Sequence, residues 1–66
     1  MKNTLKIERA IKDITQEELA RQIGVTRQAI NSIELGKYVP STILALKLSR
    51  FFGKSVNDIF ILEEND

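Results

Sequence analysis

The segment TQEELARQIGVTRQAINSIELGK, residues 15–37, constrains this chain more than any other, because only Gly24, Val25 and Thr26 separate two amphipathic helical runs. Thr15 and Glu18 have capping-box spacing: the hydroxyl can accept from the amide at the third helical position while the carboxylate reaches back. The pattern predicts a helix from Gln16 to Ile23 that buries Leu19, Ala20 and Ile23, and Gly24 can take the left-handed conformation that ends it. Val25 then plugs the core. Thr26 caps a second helix from Arg27 to about Leu35, which buries Ala29, Ile30 and Ile33 and stops at Gly36. So short a link cannot reverse the chain into an antiparallel hairpin, so the two helices must cross steeply. Ala20 is small enough to let them approach closely. The start of the second helix is thereby pushed outward, with Arg27, Gln28, Asn31 and Ser32 on its exposed face.

The remainder reads as further helices on short turns. After KYVP, Ser41 caps a helix from Thr42 to Phe52 that Gly53 ends, and Ser55 with Asp58 opens a last helical turn, VNDIF. The following FIL is short enough to be a strand. The first helix, from about Thr4 to Asp13, can be placed in two ways. Ile7, Ala10, Ile11 and Ile14 form a helical apolar stripe, yet Leu5 and Arg9 lie on the other side of the wheel, and either face can be inward. The expected fold class is mainly α: five compact helices, with Phe60–Leu62 free to pair with Met1–Lys2 in a short two-stranded sheet.

Sixty-six residues make one domain, 1–66, and a chain this short buries only about 60% of its unfolded surface. Self-association would add to a marginal core. The absence of Cys and His argues against disulfides, metal sites and thiol or imidazole chemistry, so no metal, cofactor or enzymatic activity is expected. Capping and solubility explain Glu17, Glu18, Glu63 and Glu64 better than an active site does. No apolar run approaches the roughly 18 residues that span a membrane, and MKNTLKIERA lacks a signal peptide's apolar region, so a soluble, cytoplasmic protein is expected. The net charge of +1 conceals an uneven distribution. Glu63, Glu64 and Asp66 lie in the acidic tail 63–66, leaving ten Lys and Arg against six acids, a balance of +4, in residues 1–62. Such a body suits DNA without demanding it.

The side chains at the start of the outward helix narrow the choice. Arg matches guanine O6 and N7, while Gln or Asn matches adenine N6 and N7, so the steep break aims a base-reading helix end into a major groove. The combination of TQEELARQIGVTRQAINSIELGKYVPS, ALKLSRFFG and SVNDIF resembles the small phage-repressor-like, xenobiotic-response-element-type helix-turn-helix regulators from Leu5 to Phe60. The resemblance places the helix-turn-helix at about residues 16–35. It implies base or adjacent phosphate contacts from Arg27, Gln28, Asn31 and Ser32, and backbone contacts from Gln16, Thr26, Lys37 and Tyr38. It also implies a partly buried ion pair between Arg9 and Glu34. Glu8 departs from the pattern, since an aliphatic residue is usual before the Arg9 position, and Ile7 occupies a position where a polar residue is common.

The fourth helix carries more apolar surface than one face can bury. With Ala45, Leu48, Ser49 and Phe52 inward, Leu44 and Phe51, together with Ile59, Phe60, Ile61 and Leu62, are expected to form a homodimer interface, the alternative being that the C-terminal segment folds back and covers the helix within one chain. The expected function is that of a sequence-specific regulator of double-stranded DNA, a homodimeric repressor on an inverted-repeat operator. The alternative is an antitoxin-like module that docks a protein partner through its apolar C-terminal segment.

Overall fold

A computed structural model describes residues 1–66. In chain order the elements are β1 (Lys2–Asn3), α1 (Leu5–Lys12), α2 (Gln16–Ile23), α3 (Arg27–Glu34), α4 (Thr42–Phe52), α5 (Val56–Ile59) and β2 (Phe60–Ile61). Four helices begin at hydroxyl caps: Thr15, Thr26, Ser41 and Ser55 each accept from the amide three residues on, at 3.0–3.2 Å. These bonds satisfy amides that have no partner within the helix. Gly24 and Gly53 end α2 and α4 at φ +86° and +68°, a region costly for residues with a Cβ. Helix α3 ends at Glu34, one residue earlier than its sequence suggests, with Leu35 as its cap.

Leu5, Leu19, Ile30, Ile33, Leu48 and Ile59 are fully buried at the centre of one core that draws on all five helices. No helix is long and apolar enough to cross a membrane. Helix α1 resolves the ambiguity of its sequence by turning its charged side inward. Leu5 and Glu8 are buried, whereas Ile7 is 59% and Ile11 67% exposed. Two ion pairs fix this rotation: Arg9 reaches Glu34 on α3, and the buried Glu8 accepts from Lys54 Nζ at 3.0 Å, beyond the end of α4. Only Ile14 of the apolar stripe packs against the core.

The C-terminal half differs from the sequence expectation at three residues. Leu44, Ile59 and Phe60, assigned above to an interface between copies, are buried in the chain's own core. The buried spacing of α4 is Leu44, Leu48 and Phe52, so the helix is turned to bring Leu44 inward, with Ala45 and Phe51 half-buried beside it. The strand pairing is also displaced by one residue: β1 and β2 are antiparallel, with Lys2 opposite Ile61 and Asn3 opposite Phe60. Thr4 N donates to Ile59 O at 2.9 Å, while Asn3 Oδ1 accepts from Leu5 N and Asn3 Nδ2 donates to Ile33 O, which together fix that register.

The Met1 ammonium lies 3.0 Å from Glu63 and 3.1 Å from Asp66. Hydrogen bonds to these carboxylates raise the amine's pKa, while the Glu63 backbone amide and then the Met1 ammonium hold the Asp66 carboxyl below its usual range.

The rotation of α4 predicts a contrast between neighbouring aliphatic residues. Leu48→Ala should lower the unfolding free energy by about 2–5 kcal/mol, because it empties a fully buried site. Ile43→Ala, at an exposed site, should change it by no more than about 0.5 kcal/mol in the same urea titration.

Candidate nucleic-acid interface

The corner between α2 and α3 is built as its sequence requires. Gly24 and Val25 both donate to Ala20 O, closing α2, and Thr26, itself extended, caps the start of α3. Ile30 and Ile33 anchor the inner face of α3 in the core. Its outer face presents Arg27, Gln28 and Asn31, all exposed, around a shallow cleft of about 150 Å³. Arg27 enters no ion pair within the chain.

A polar chain beneath this face sets the position of α3. Arg9 Nε donates to Glu34 Oε2 at 2.6 Å and Arg9 Nη2 to Glu34 Oε1 at 3.1 Å, the paired geometry that suits a planar guanidinium. Arg9 Nη1 donates to Ile14 O at 2.9 Å, tying in the connection between α1 and α2. Gln16, at the start of α2, donates through Nε2 to both Glu34 Oε1 and Asn31 Oδ1, each at 3.1 Å. Through Glu34 and then Gln16, three helices and one loop are thus linked to Asn31, a side chain of the exposed cleft. The Glu34 hydrogen bonds raise the Arg9 pKa above its ordinary value, which favours the charged guanidinium.

The other sequence-derived site residues occupy different surroundings. Ser32 is half-buried outside the cleft, and its carbonyl accepts from Lys37 N at 2.9 Å. Thr26 is exposed, with its oxygen accepting from Ala29 N, and Lys37 and Tyr38 are exposed on the loop after α3. Phe51 lies apart from them, its ring 5.5 Å beneath Lys12 Nζ, while Ile61 and Leu62 are exposed at the end of β2. Sequence reasoning passed over Asn3, which joins the start of α1 to the end of α3. Its only signal is an Asn two residues before a helical run, where such a side chain commonly bonds the backbone. Lys54 was also missed, because nothing in its neighbourhood marks it as the counterion of Glu8.

Comparison with known proteins decides the family. A helix-turn-helix family model, HTH_3, matches residues 5–59. The chain belongs to this helix-turn-helix family. It is 53% identical to an uncharacterized HTH-type transcriptional regulator of Methanocaldococcus jannaschii and 47% identical to the HTH-type regulator YgzD of Bacillus subtilis, both over the full length of each chain. It is also 38% identical to the HTH-type transcriptional activator BcrR of Enterococcus faecalis, over 80% of this chain and 26% of that protein. The protein is a helix-turn-helix transcriptional regulator that binds DNA, and α2 and α3 are its helix-turn-helix.

Removing the central carboxylate should disturb the whole polar chain. Glu34→Ala should cost about 3–5 kcal/mol, since it strands a largely buried guanidinium. Glu34→Gln, which keeps an acceptor for Arg9 and Gln16, should cost less in parallel urea unfolding experiments.

Proposed function

We propose that this regulator is a cytoplasmic, sequence-specific repressor that binds an inverted-repeat operator as a homodimer, with α3 in the major groove. The observation that carries this reading is the convergence of Arg27, Gln28 and Asn31 on one exposed cleft of α3, braced from beneath by Gln16. Arg27 pairs with guanine, and Gln28 and Asn31 pair with adenine. Asn31 keeps both amide protons and a second lone pair on Oδ1 for a base. Ser32 takes a base or an adjacent phosphate. Because the Nε2 group of Gln16 already donates twice inside the protein, its contact with phosphate runs through the unpaired backbone N–H at the start of α2. Thr26, Lys37 and Tyr38 hold the flanking backbone, which positions the helix without reading sequence.

Two copies are needed to read two successive turns of the groove. One copy presents a single α3 and measures 32 × 22 × 21 Å, whereas successive half-sites are about 34 Å apart. An apolar groove of about 370 Å³ supports an interface on the side of α4 and α5, lined by Val39, Leu46, Val56 and Phe60 among others. Ile61 and Leu62 are exposed further along the chain from Phe60, whereas Leu44 and Ile59 are buried in the core and offer such an interface no surface of their own. Repression then follows from occupancy of the operator.

Selection from randomised duplexes at moderate salt should enrich an inverted repeat with half-sites about one helical turn apart. On that duplex Arg27→Ala or Gln28→Ala should each cost about 1–3 kcal/mol and relax preference at one base pair, whereas Lys37→Ala should weaken all duplexes about equally. Failure to enrich any sequence, or equal weakening by all three variants, would refute readout by α3. A monomer at high micromolar concentration in sedimentation would refute the dimer and leave the groove to a different protein partner.

A further inference from the structure

Helix α1 is amphipathic in the reverse of the usual sense. Ile7, Ala10 and Ile11 fall within an arc of about 100°, centred opposite the buried Leu5, and all three are exposed. The helix buries Glu8 and half-buries Arg9. A soluble protein gains nothing by presenting an ordered isoleucine stripe to water, so the face calls for an apolar counterpart. The groove between α4 and α5 does not include it.

We propose that the Ile7–Ala10–Ile11 face of α1 is a contact between copies of this chain, in which two α1 helices pack antiparallel. The pattern is self-complementary. With a two-fold axis between Arg9 and Ala10, Ile7 of one copy meets Ile11 of the other, and the two Ala10 side chains leave room at the centre for close approach. The charges beside the stripe select the same arrangement. Lys6 and Asp13 lie on one flank, both exposed and neither in an ion pair within the chain. The antiparallel two-fold keeps like flanks together and brings each Lys6 level with the second copy's Asp13, whereas a parallel two-fold would turn Lys6 toward its partner's opposite flank, away from Asp13.

The patch is far smaller than the roughly 800 Å² that each partner buries in a standard interface, so the contact is weak between free molecules. Copies held near one another on one duplex experience a much higher effective concentration, and there it links neighbours. Its geometry involves neither α3 nor the α4–α5 groove, so it stands or fails separately from the function proposed above.

The chain contains no cysteine, which permits a direct test on the protein without DNA. Ala10→Cys places a thiol beside the two-fold axis, and Glu17→Cys, exposed on α2, provides a control for random collision. Under mild oxidation the Ala10→Cys protein should form disulfide-linked dimers about ten-fold faster than the control, as the effective concentration of two apposed thiols requires. Adding Ile7→Lys, or Ile11→Glu, to Ala10→Cys should return the rate to that of the control. Mixing these two variants should restore it with mixed dimers predominating, because the new ammonium faces the new carboxylate while the two remaining isoleucines meet. Mixing Ile7→Lys with Ile7→Glu, equally matched in charge but out of register, should not. Cross-linking of Ala10→Cys at the control rate would overturn the proposal, as would equal recovery in both mixtures.

Discussion

Arg9 reaches from α1 to Glu34 at the end of α3, and the position of α3 depends on that contact. A largely buried ion pair is a poor source of net stability, because both charges must first leave water. Its value here is directional. A guanidinium held by two parallel bonds to one carboxylate, and by a third to the Ile14 carbonyl, admits only a narrow range of helix orientations. Gln16 extends the constraint from Glu34 to Asn31, so a displacement of α1 or α2 reaches the exposed cleft of α3. The same pair explains why α1 exposes isoleucines, since its inward face is committed to Leu5, to Arg9 and to Glu8 with its partner Lys54.

Around this centre the fold relies on local devices suited to a short chain. Helices of eight residues, such as α1, α2 and α3, are unstable in isolation. Hydroxyl caps lower the cost of starting α2 and α3, Asn3 Oδ1 takes the first amide of α1, and docking on a shared core supplies the rest. The chain ends contribute too: β1 and β2 pair beside α5, and Asn3 connects this small sheet to the last turn of α3. A regulator assembled this way has its core, its terminal sheet and α3 in one hydrogen-bonded unit, which leaves α3 little freedom to reorganise.

The elements with strong local signals were legible in the sequence. Thr15, Thr26, Ser41 and Ser55, with Gly24 and Gly53, locate α2, the start of α3, α4 and the start of α5, because caps and left-handed glycines act within a few residues. The rotations of α1 and α4 were not legible. Periodicity identifies an apolar stripe but not which stripe turns inward, and in α1 the answer depends on partners 25 and 46 residues away. In α4, Leu44 and Leu46 are equally apolar, and only the packing of α4 against α2 and α5 distinguishes the buried one from the exposed one. For the candidate site, residue type alone singled out Arg27, Gln28 and Asn31. The connection from Gln16 to Asn31 required three dimensions, since fifteen residues separate them.

The central claim is that α3, held by Arg9, Glu34 and Gln16, is the surface that meets DNA. Amide chemical shifts followed by nuclear magnetic resonance, as a duplex recovered by selection is titrated into the protein, test it most directly. If α3 meets DNA, the largest changes fall on residues 26–32, on Gln16 and on Lys37 and Tyr38. Largest changes along Ile7–Ile11, or along α4 and α5, with residues 26–32 unmoved, would contradict it.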